Sequence, residues 1–381
     1  MRVSRSSGLL AAICAVNVWG ALANVAPAGQ SPPRFHVDPF WPRPLPNDPA
    51  TGKPWVTGEV AGTCVDSHDH VFTVNRGNLV APEDVIAVAS PPVIEFDRLG
   101  RVVNAWGDRD VLPNGLHGCF VDFQDNVWIA GNGDGIVQKW THNGSTLLLQ
   151  IGTRGVCDSP DGTCGNPGSN ASQTMLNQPA NMTIDPVTGD IYIADGYGNH
   201  RIVVFDAYGF YERQWGNSGL GPGQFQPGDG GHPHCVVMSK EGLIYACDRG
   251  SDRIQVFEKH PSDCVGEPPD RVCQPLRIID VVPGRGQDTA GSAWDVSFSL
   301  DSAQTFMFDV DGGDEVLWTF DRAAGTIIAG FGRPGHQAGE FTFLHSIVMD
   351  SDGNMFLGET VGGRRVQKFV PDNGFKNPDE G

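Results

Sequence analysis

Among the 11 histidines of this 381-residue chain, three are set apart by their spacing: His117, His234 and His345 are separated by 117 and 111 residues. Imidazole nitrogen suits zinc, copper, iron and nickel. Three neutral imidazoles with an open fourth position make the donor set of a catalytic Zn2+ site, with nitrogen–metal distances of about 2.0–2.1 Å. Two arginines and a tyrosine recur in similar surroundings, Arg76 in FTVNRG, Tyr197 in IADGYG and Arg249 in YACDRG. Guanidinium groups cannot ligate a cation but hold a carboxylate in fork geometry. A tyrosine beside a divalent cation and a guanidinium becomes accessible as phenolate, a general base. The bland alternatives are that each histidine is a satisfied structural residue, that Arg249 pairs with Asp248 or Asp252 in its turn, and that Tyr197 is a packing aromatic.

Something must bring such distant residues together, and an internal repeat does so. Six segments share one pattern: an apolar strand ending near Asp or Ser, a turn, a second strand, a polar turn and a third strand ending in Val-x-x-Phe or similar. Their anchors, Asp66, Asp122, Asp185, Ser239, Asp301 and Asp350, are 56, 63, 54, 62 and 49 residues apart. Each unit has the size of a four-stranded antiparallel blade, so the expected fold is all-β, a six-bladed β-propeller. A solenoid of six β units is the alternative. The sixth segment stops after three strands, and FHVDPFW at 35–41 is the natural closing strand, which would remove two exposed sheet edges.

In such a ring the first strand of each blade lines the central channel. The three histidines fall just before the first strands of blades two, four and six, so they converge on the axis as a collar at one mouth. Second strands run antiparallel to the first and end at that same mouth, which brings Arg76, Tyr197 and Arg249 there. Asp195, Asp248 and Asp309 recur at second-strand ends as turn caps. Histidines 36, 68, 70, 142, 200, 232, 260 and 336 have no matching repeat position and read as surface or turn residues, with His232 close enough to exchange with His234 if the register slips.

Composition agrees with this reading and narrows the partners. Gly (50) and Pro (28) punctuate short apolar runs, and only 19% of residues are charged, which excludes a coiled coil or helical bundle. The net charge of −19 repels phosphate backbones, so nucleic acid is not an expected partner. Arg2 and Arg5, a short apolar run and an Ala-Leu-Ala end at 21–23 have the layout of an export signal, and no later stretch reaches membrane length. The expected organisation is a signal peptide at 1–23, an extension with the closing strand at 24–54, the propeller at 55–371 and a tail at 372–381, in a secreted or periplasmic monomer without a transmembrane anchor.

In an oxidising setting Cys157 with Cys164 and Cys264 with Cys273 are expected to close their own loops. Cys235 and Cys247, equidistant from Glu241, could face each other across a hairpin, while Cys64 and Cys119 hold matching places in neighbouring repeats and stay open. No C-x-x-C pair occurs, which argues against a cysteine zinc cluster. Asn143, Asn170 and Asn181 are glycosylation sequons.

The motif D-x-x-x-x-R-I and the pairs Trp106-Gly107 and Trp215-Gly216 resemble NHL repeats. HGCFVDFQDN, DGYGNHRIVVFDAYGFYERQWG, GPGQFQPGDGGHPHCVV, CDRGSDRIQVF and FLHSIVMDSDGNMFLGET look like the lyase domain of peptidylglycine α-amidating enzymes, over roughly residues 55–371 and most strongly over 177–256. That resemblance implies zinc on His117, His234 and His345, carboxylate-binding and catalytic arginines at Arg76 and Arg249, and a catalytic tyrosine at Tyr197. The implied reaction cleaves a peptidyl-α-hydroxyglycine to a peptide amide and glyoxylate; either a separate monooxygenase supplies that substrate, or the substrate is another α-hydroxy-amide. Two positions depart from the family. Phe343 replaces a methionine of the substrate pocket, and Ser346 replaces the aspartate of a structural calcium, which argues against calcium at the axis. The segment 157–172 is an insertion expected to form a disulfide-closed loop beside the mouth.

Two other functions compete. A propeller hydrolase such as a lactonase holds calcium on Asp, Asn and Glu, against which the histidine collar argues. A non-catalytic NHL propeller binding protein or glycan would need no collar at all.

Overall fold

The computed structural model of the protein describes residues 31–372 apart from 166, 229 and 283–289. Contacts divide the chain into two units, Met1–Ser31 and Pro32–Gly381, and all the elements below belong to the second. The export signal expected at 1–23 and nearly all of the expected tail lie outside the described residues.

Six four-stranded antiparallel sheets follow one another along the chain as the blades of a propeller. Their first strands are Val60–Val65, Leu116–Val121, Asn181–Ile184, Val236–Met238, Asp295–Phe298 and Leu344–Met349. Residues of all six line one axial cavity of about 260 Å3. The second strands, among them Val71–Asn75, Ile191–Asp195 and Met355–Glu359, are buried along their whole length. Runs of Val, Ile, Phe and Tyr suit that position, because a strand covered on both faces has no solvent side to alternate with. The outermost strand of blade five, Thr326–Phe331, does alternate between exposed and half-buried residues.

Ring closure occurs as expected. Phe35–Asp38 pairs antiparallel with Arg365–Pro371, Phe35 opposite Pro371 and Asp38 opposite Lys368, and completes blade six. Just beyond it, Trp41 is buried between blades six and one, its ring 4.7 Å from Phe356 and 5.4 Å from Phe96. The core sits between blades, not within them: Trp128 and Ile151 of blade two pack on Ile184 and Phe205 of blade three, and Tyr245 of blade four packs on Phe298 and Phe320 of blade five. Each such buried aliphatic or aromatic side chain contributes about 1.5–3 kcal/mol.

All eight cysteines of the described residues are bridged. The two loop disulfides form as expected, Cys157–Cys164 and Cys264–Cys273, the latter closing a small hairpin before the last strand of blade four. Cys235 and Cys247 are joined across their hairpin, and Cys64–Cys119 ties the first strand of blade one to that of blade two. Of the three sequons only Asn143 is exposed. Asn170 is buried with its side-chain Oδ1 accepting from the His200 amide, and Asn181 lines the axial cavity, so neither could carry a glycan in this fold.

Candidate metal centre and its mouth

Each collar histidine stands five residues before the anchor of its strand: His117 before Asp122, His234 before Ser239 and His345 before Asp350. His117 and His345 lie inside their first strands and not before them as the sequence suggested, because a register irregularity beside each lets pairing begin one residue earlier. In blades one and three the corresponding position is alanine, Ala61 and Ala180, and in blade five it is Trp294, immediately before the first strand.

Those odd-blade residues aim the imidazoles. His117 Nδ1 donates to the carbonyl of Ala180 at 2.8 Å, His234 Nδ1 to that of Trp294 at 2.7 Å, and His345 Nδ1 to that of Ala61 at 2.8 Å. A carbonyl can only accept, so the proton sits on Nδ1 and each Nε2 keeps its lone pair. This orientation of a ligand histidine by a backbone carbonyl is the usual support of a metal site. Gly118 permits the close approach, since a Cβ there would stand 2.5 Å from the Ala180 oxygen.

The three ring centroids are 4.5, 4.9 and 5.0 Å apart, and one donor nitrogen from each ring lies within 4.8 Å of the others. All three rings are buried. Desolvation holds the His345 imidazole down to about 3, with Arg76 and Arg249 adding repulsion. The same burial, then the neighbouring charges, holds His117 and His234 well below the ordinary histidine range. Neutral rings with inward lone pairs are what a cation needs. His234 Nε2 is buried with no hydrogen-bond partner among the described residues. The donor set and this orphaned nitrogen both fit a zinc-class ion.

Tyr197 and Arg249 meet the collar. The Tyr197 hydroxyl lies 3.0 Å from His117 Nε2, to which it donates. Arg249 is buried, its guanidinium 4.2 Å above the Trp294 ring and 5.9 Å from that of Tyr197, and burial pushes its pKa down. The alternative pairing of Arg249 with Asp248 does not occur: Asp248 is taken by Arg253 at 2.8 Å and by the Gln226 amide. Arg76 lies at the same mouth but is engaged, Nε donating to the Leu116 carbonyl at 3.0 Å and Nη1 to Glu59 at 2.5 Å.

Phe343 packs edge-on against Trp294 at 5.5 Å, with left-handed backbone (φ 61°) held by Glu315, which accepts from the amides of Phe343 and Leu344. Ser346 accepts from the Thr63 hydroxyl at 3.1 Å, so no carboxylate stands at the position that the resemblance links to calcium. A buried acid beside it is Asp295 of blade five, which accepts from the Val296 and Ile347 amides and is pushed by desolvation up to about 7. The inserted loop packs beside the mouth, with the Gly168 amide donating to the carbonyl of Gly198, next to Tyr197.

The turn-cap reading needs correction. Asp195 and Asp248 do cap, accepting from the Asn177 and Gln226 amides, but they are also the partners of the buried Arg201 and Arg253. In blade five the strand-end acid is Asp311, while Asp309 lies two residues earlier, fully buried, with neither oxygen partnered among the described residues. His232 is buried, its Nδ1 accepting from the Gly250 amide, and is no collar member. His200 is half-buried, and burial lowers its pKa. Sequence reasoning missed Trp294, although it stands where the even blades carry histidine. It also missed Arg109, which packs on the Gly77 turn beside Arg76.

Residues 176–205, in blade three, match the family model of the NHL repeat. The chain is similar to NHL repeat-containing protein 3 of Homo sapiens, 24% identical over 360 residues that cover 90% of this chain and 85% of the relative. It is also similar to peptidyl-glycine alpha-amidating monooxygenase B of Xenopus laevis, 26% identical over 340 residues, 82% of this chain. That match spans 34% of the length of the Xenopus protein. A probable peptidyl-alpha-hydroxyglycine alpha-amidating lyase of Caenorhabditis elegans is 23% identical over 213 residues, covering 52% of this chain and 55% of the relative. Among solved structures, a streptogramin B lyase superposes with a TM-score of 0.50 at 12% identity, covering 83% of this chain and 94% of that one, a likeness of fold alone. Four disulfides fit an oxidising compartment. Among the described residues no helix is long and apolar enough to cross a membrane.

Proposed function

We propose that His117, His234 and His345 hold Zn2+ and that this mouth cleaves a peptidyl-α-hydroxyglycine, or a related N-acyl-α-hydroxyglycine, to an amide and glyoxylate. The observation that carries the reading is the collar itself: three buried imidazoles, each fixed through Nδ1 to a carbonyl of the next blade, with the Tyr197 hydroxyl against one of them. Similarity to amidating proteins supports the choice of substrate. When bound, zinc supplies Lewis-acid polarisation of the substrate hydroxyl.

The chain's own residues do the rest. Arg249, stacked on Trp294 and free of Asp248, offers its guanidinium to the substrate carboxylate. Arg76 adds a second positive charge while its Glu59 partner keeps it in place. As phenolate, Tyr197 Oη takes the proton of the carbinol hydroxyl and returns it to the leaving nitrogen. The C–O bond becomes a carbonyl, the C–N bond breaks with its electron pair going to nitrogen, and the nitrogen takes up a proton, so the products are R-CO-NH2 and glyoxylate. No covalent enzyme intermediate is required. Trp294 and Phe343 form an apolar wall beside the reacting carbon.

A second reading, a non-catalytic propeller that binds protein or glycan, draws on the similarity to NHL repeat-containing protein 3 over most of both chains. One assay separates the two. α-Hydroxyhippurate incubated with the zinc-loaded protein is expected to release glyoxylate, a release abolished by a chelator and restored by Zn2+. No release by zinc-loaded protein would leave the non-catalytic reading.

A further inference from the structure

The repeats act as internal controls for the far ends of the first strands, opposite the collar. In blade two the anchor Asp122 is paired with Lys139 at 2.9 Å, in blade three Asp185 is paired with Lys259, and in blade six Lys368 acts on Asp350. Asparagines four residues after the anchors, Asn126 and Asn354, also donate their side-chain amides to Asp122 and Asp350.

Blade one replaces every one of these groups. Where Lys139 and Lys368 precede the last aromatic of the third strand, blade one has Glu95. Where Lys259 follows that aromatic by two residues, blade two presents His142 to blade one. Where the asparagines stand, blade one has His70. Two buried carboxylates, Asp66 and Glu95, 6% and 5% exposed, therefore meet two imidazoles and no lysine or arginine among the described residues. Two buried carboxylates facing only imidazoles are costly to hold together, and a bound cation shared with those imidazoles offsets that cost.

The geometry suits one. Asp66 spends Oδ1 on the amides of His68 and His70, which leaves Oδ2 for His142 Nε2 at 2.8 Å. Glu95 Oε1 lies 2.6 Å from His70 Nδ1, which is itself 3.9 Å from Asp66 Oδ2. Donor atoms of Asp66, Glu95 and His142 all fall within 4.8 Å of one another. Tetrahedral ligands about 2.0–2.1 Å from an ion stand roughly 3.3 Å apart, between the short and long separations found here. The His70 and His142 side chains are 31% and 36% exposed, which gives an ion a way in.

We propose that Asp66, His70, Glu95 and His142 bind a second divalent ion of the zinc class, which clasps blade one to blade two at the mouth opposite the collar. Three ligands come from blade one and His142 from blade two. The Cys64–Cys119 bridge and the bond from Ser67 to Asp125 cross the same junction, so the ion acts as a structural clasp and not as a reaction centre.

The test counts ions in the metal-stripped full chain after titration with ZnCl2 and desalting. His234→Ala/His345→Ala disables the collar, and this chain is expected to retain one Zn2+ and to gain about 5 °C in thermal midpoint at zinc a hundredfold above Kd. Adding Glu95→Lys and His142→Lys, which install the lysines of the sister blades, is expected to abolish both effects. His142→Lys alone serves if the combined chain does not fold, and Co2+ absorption reports tetrahedral binding independently. No ion in the collar-disabled chain, or an ion that survives the lysine substitutions, overturns the proposal. Equal ion counts in the wild-type and collar-disabled chains would instead count against the collar and leave this site standing.

Discussion

The Tyr197 hydroxyl lies 3.0 Å from His117 Nε2 and donates to it, a contact between blades three and two across the mouth of the channel. The same nitrogen is the one that the collar reading assigns to zinc. The tyrosine is thereby fixed at the edge of the metal position by this hydrogen bond and by ring packing on His117, with Arg249 on its other side.

Removal of that hydroxyl separates base from ligand. Tyr197→Phe is expected to lower kcat for glyoxylate release about 10²–10⁴-fold, the range for a lost general base, while zinc content and circular dichroism stay as in the wild type. Full activity with zinc bound would assign the proton transfer elsewhere.

Arg249→Lys keeps the charge but loses the planar fork and the stacking on Trp294. Loss of a charge-assisted bond of about 1.5–3 kcal/mol predicts a fall of roughly 10–100-fold in kcat/KM. The loss should be smaller for an analogue without the carboxylate, as steady-state kinetics on the two compounds will test.

The collar also makes a pH prediction. The folded His345 has its pKa lowered to about 3, while the unfolded chain titrates near the ordinary value of 6.5. Between these values the unfolded state binds the extra proton, so this group favours unfolding increasingly as pH falls from about 6.5 towards 3, by ~1.4 kcal/mol per pH unit. His345→Gln should therefore flatten the acid limb of the metal-free protein's stability curve relative to wild type. Parallel curves in urea titrations at pH 7, 5 and 4 would contradict the assignment.

Arg201 offers a test of the scaffold. It is fully buried, bonded through Nε to Asp195 at 2.9 Å and through its remaining nitrogens to Gln214 and the carbonyls of Ser172 and Met175. Arg201→Met strands the Asp195 carboxylate and should cost about 3–5 kcal/mol. A urea midpoint within error of wild type would show that the pair is dispensable.

Much of this was legible in sequence because repetition converts position into geometry. Residues five places before the anchors Asp122, Ser239 and Asp350 must point to one axis if the units are blades, and the three histidines do. The closing strand was legible for a related reason: six segments with 23 repeated strands need one more, and Phe35–Asp38 is the extended segment at the other end of the chain. What the spacing concealed were contacts between blades. Nothing in YACDRG says that Asp248 prefers Arg253 to Arg249, since that choice follows from the burial of Arg249 against Trp294. His70 and His142 looked unrelated because His70 meets Glu95 within blade one, while His142 reaches Asp66 only when blade two packs on blade one. His142 does share a repeat position with Lys259, a signal hidden by the change of residue type.

The most direct test of the account is anomalous diffraction at the zinc absorption edge from crystals of the zinc-loaded full chain. The account predicts a peak on the propeller axis about 2.0–2.1 Å from Nε2 of His117, His234 and His345 together. Crystals with zinc in excess and no anomalous density between those three rings would contradict it.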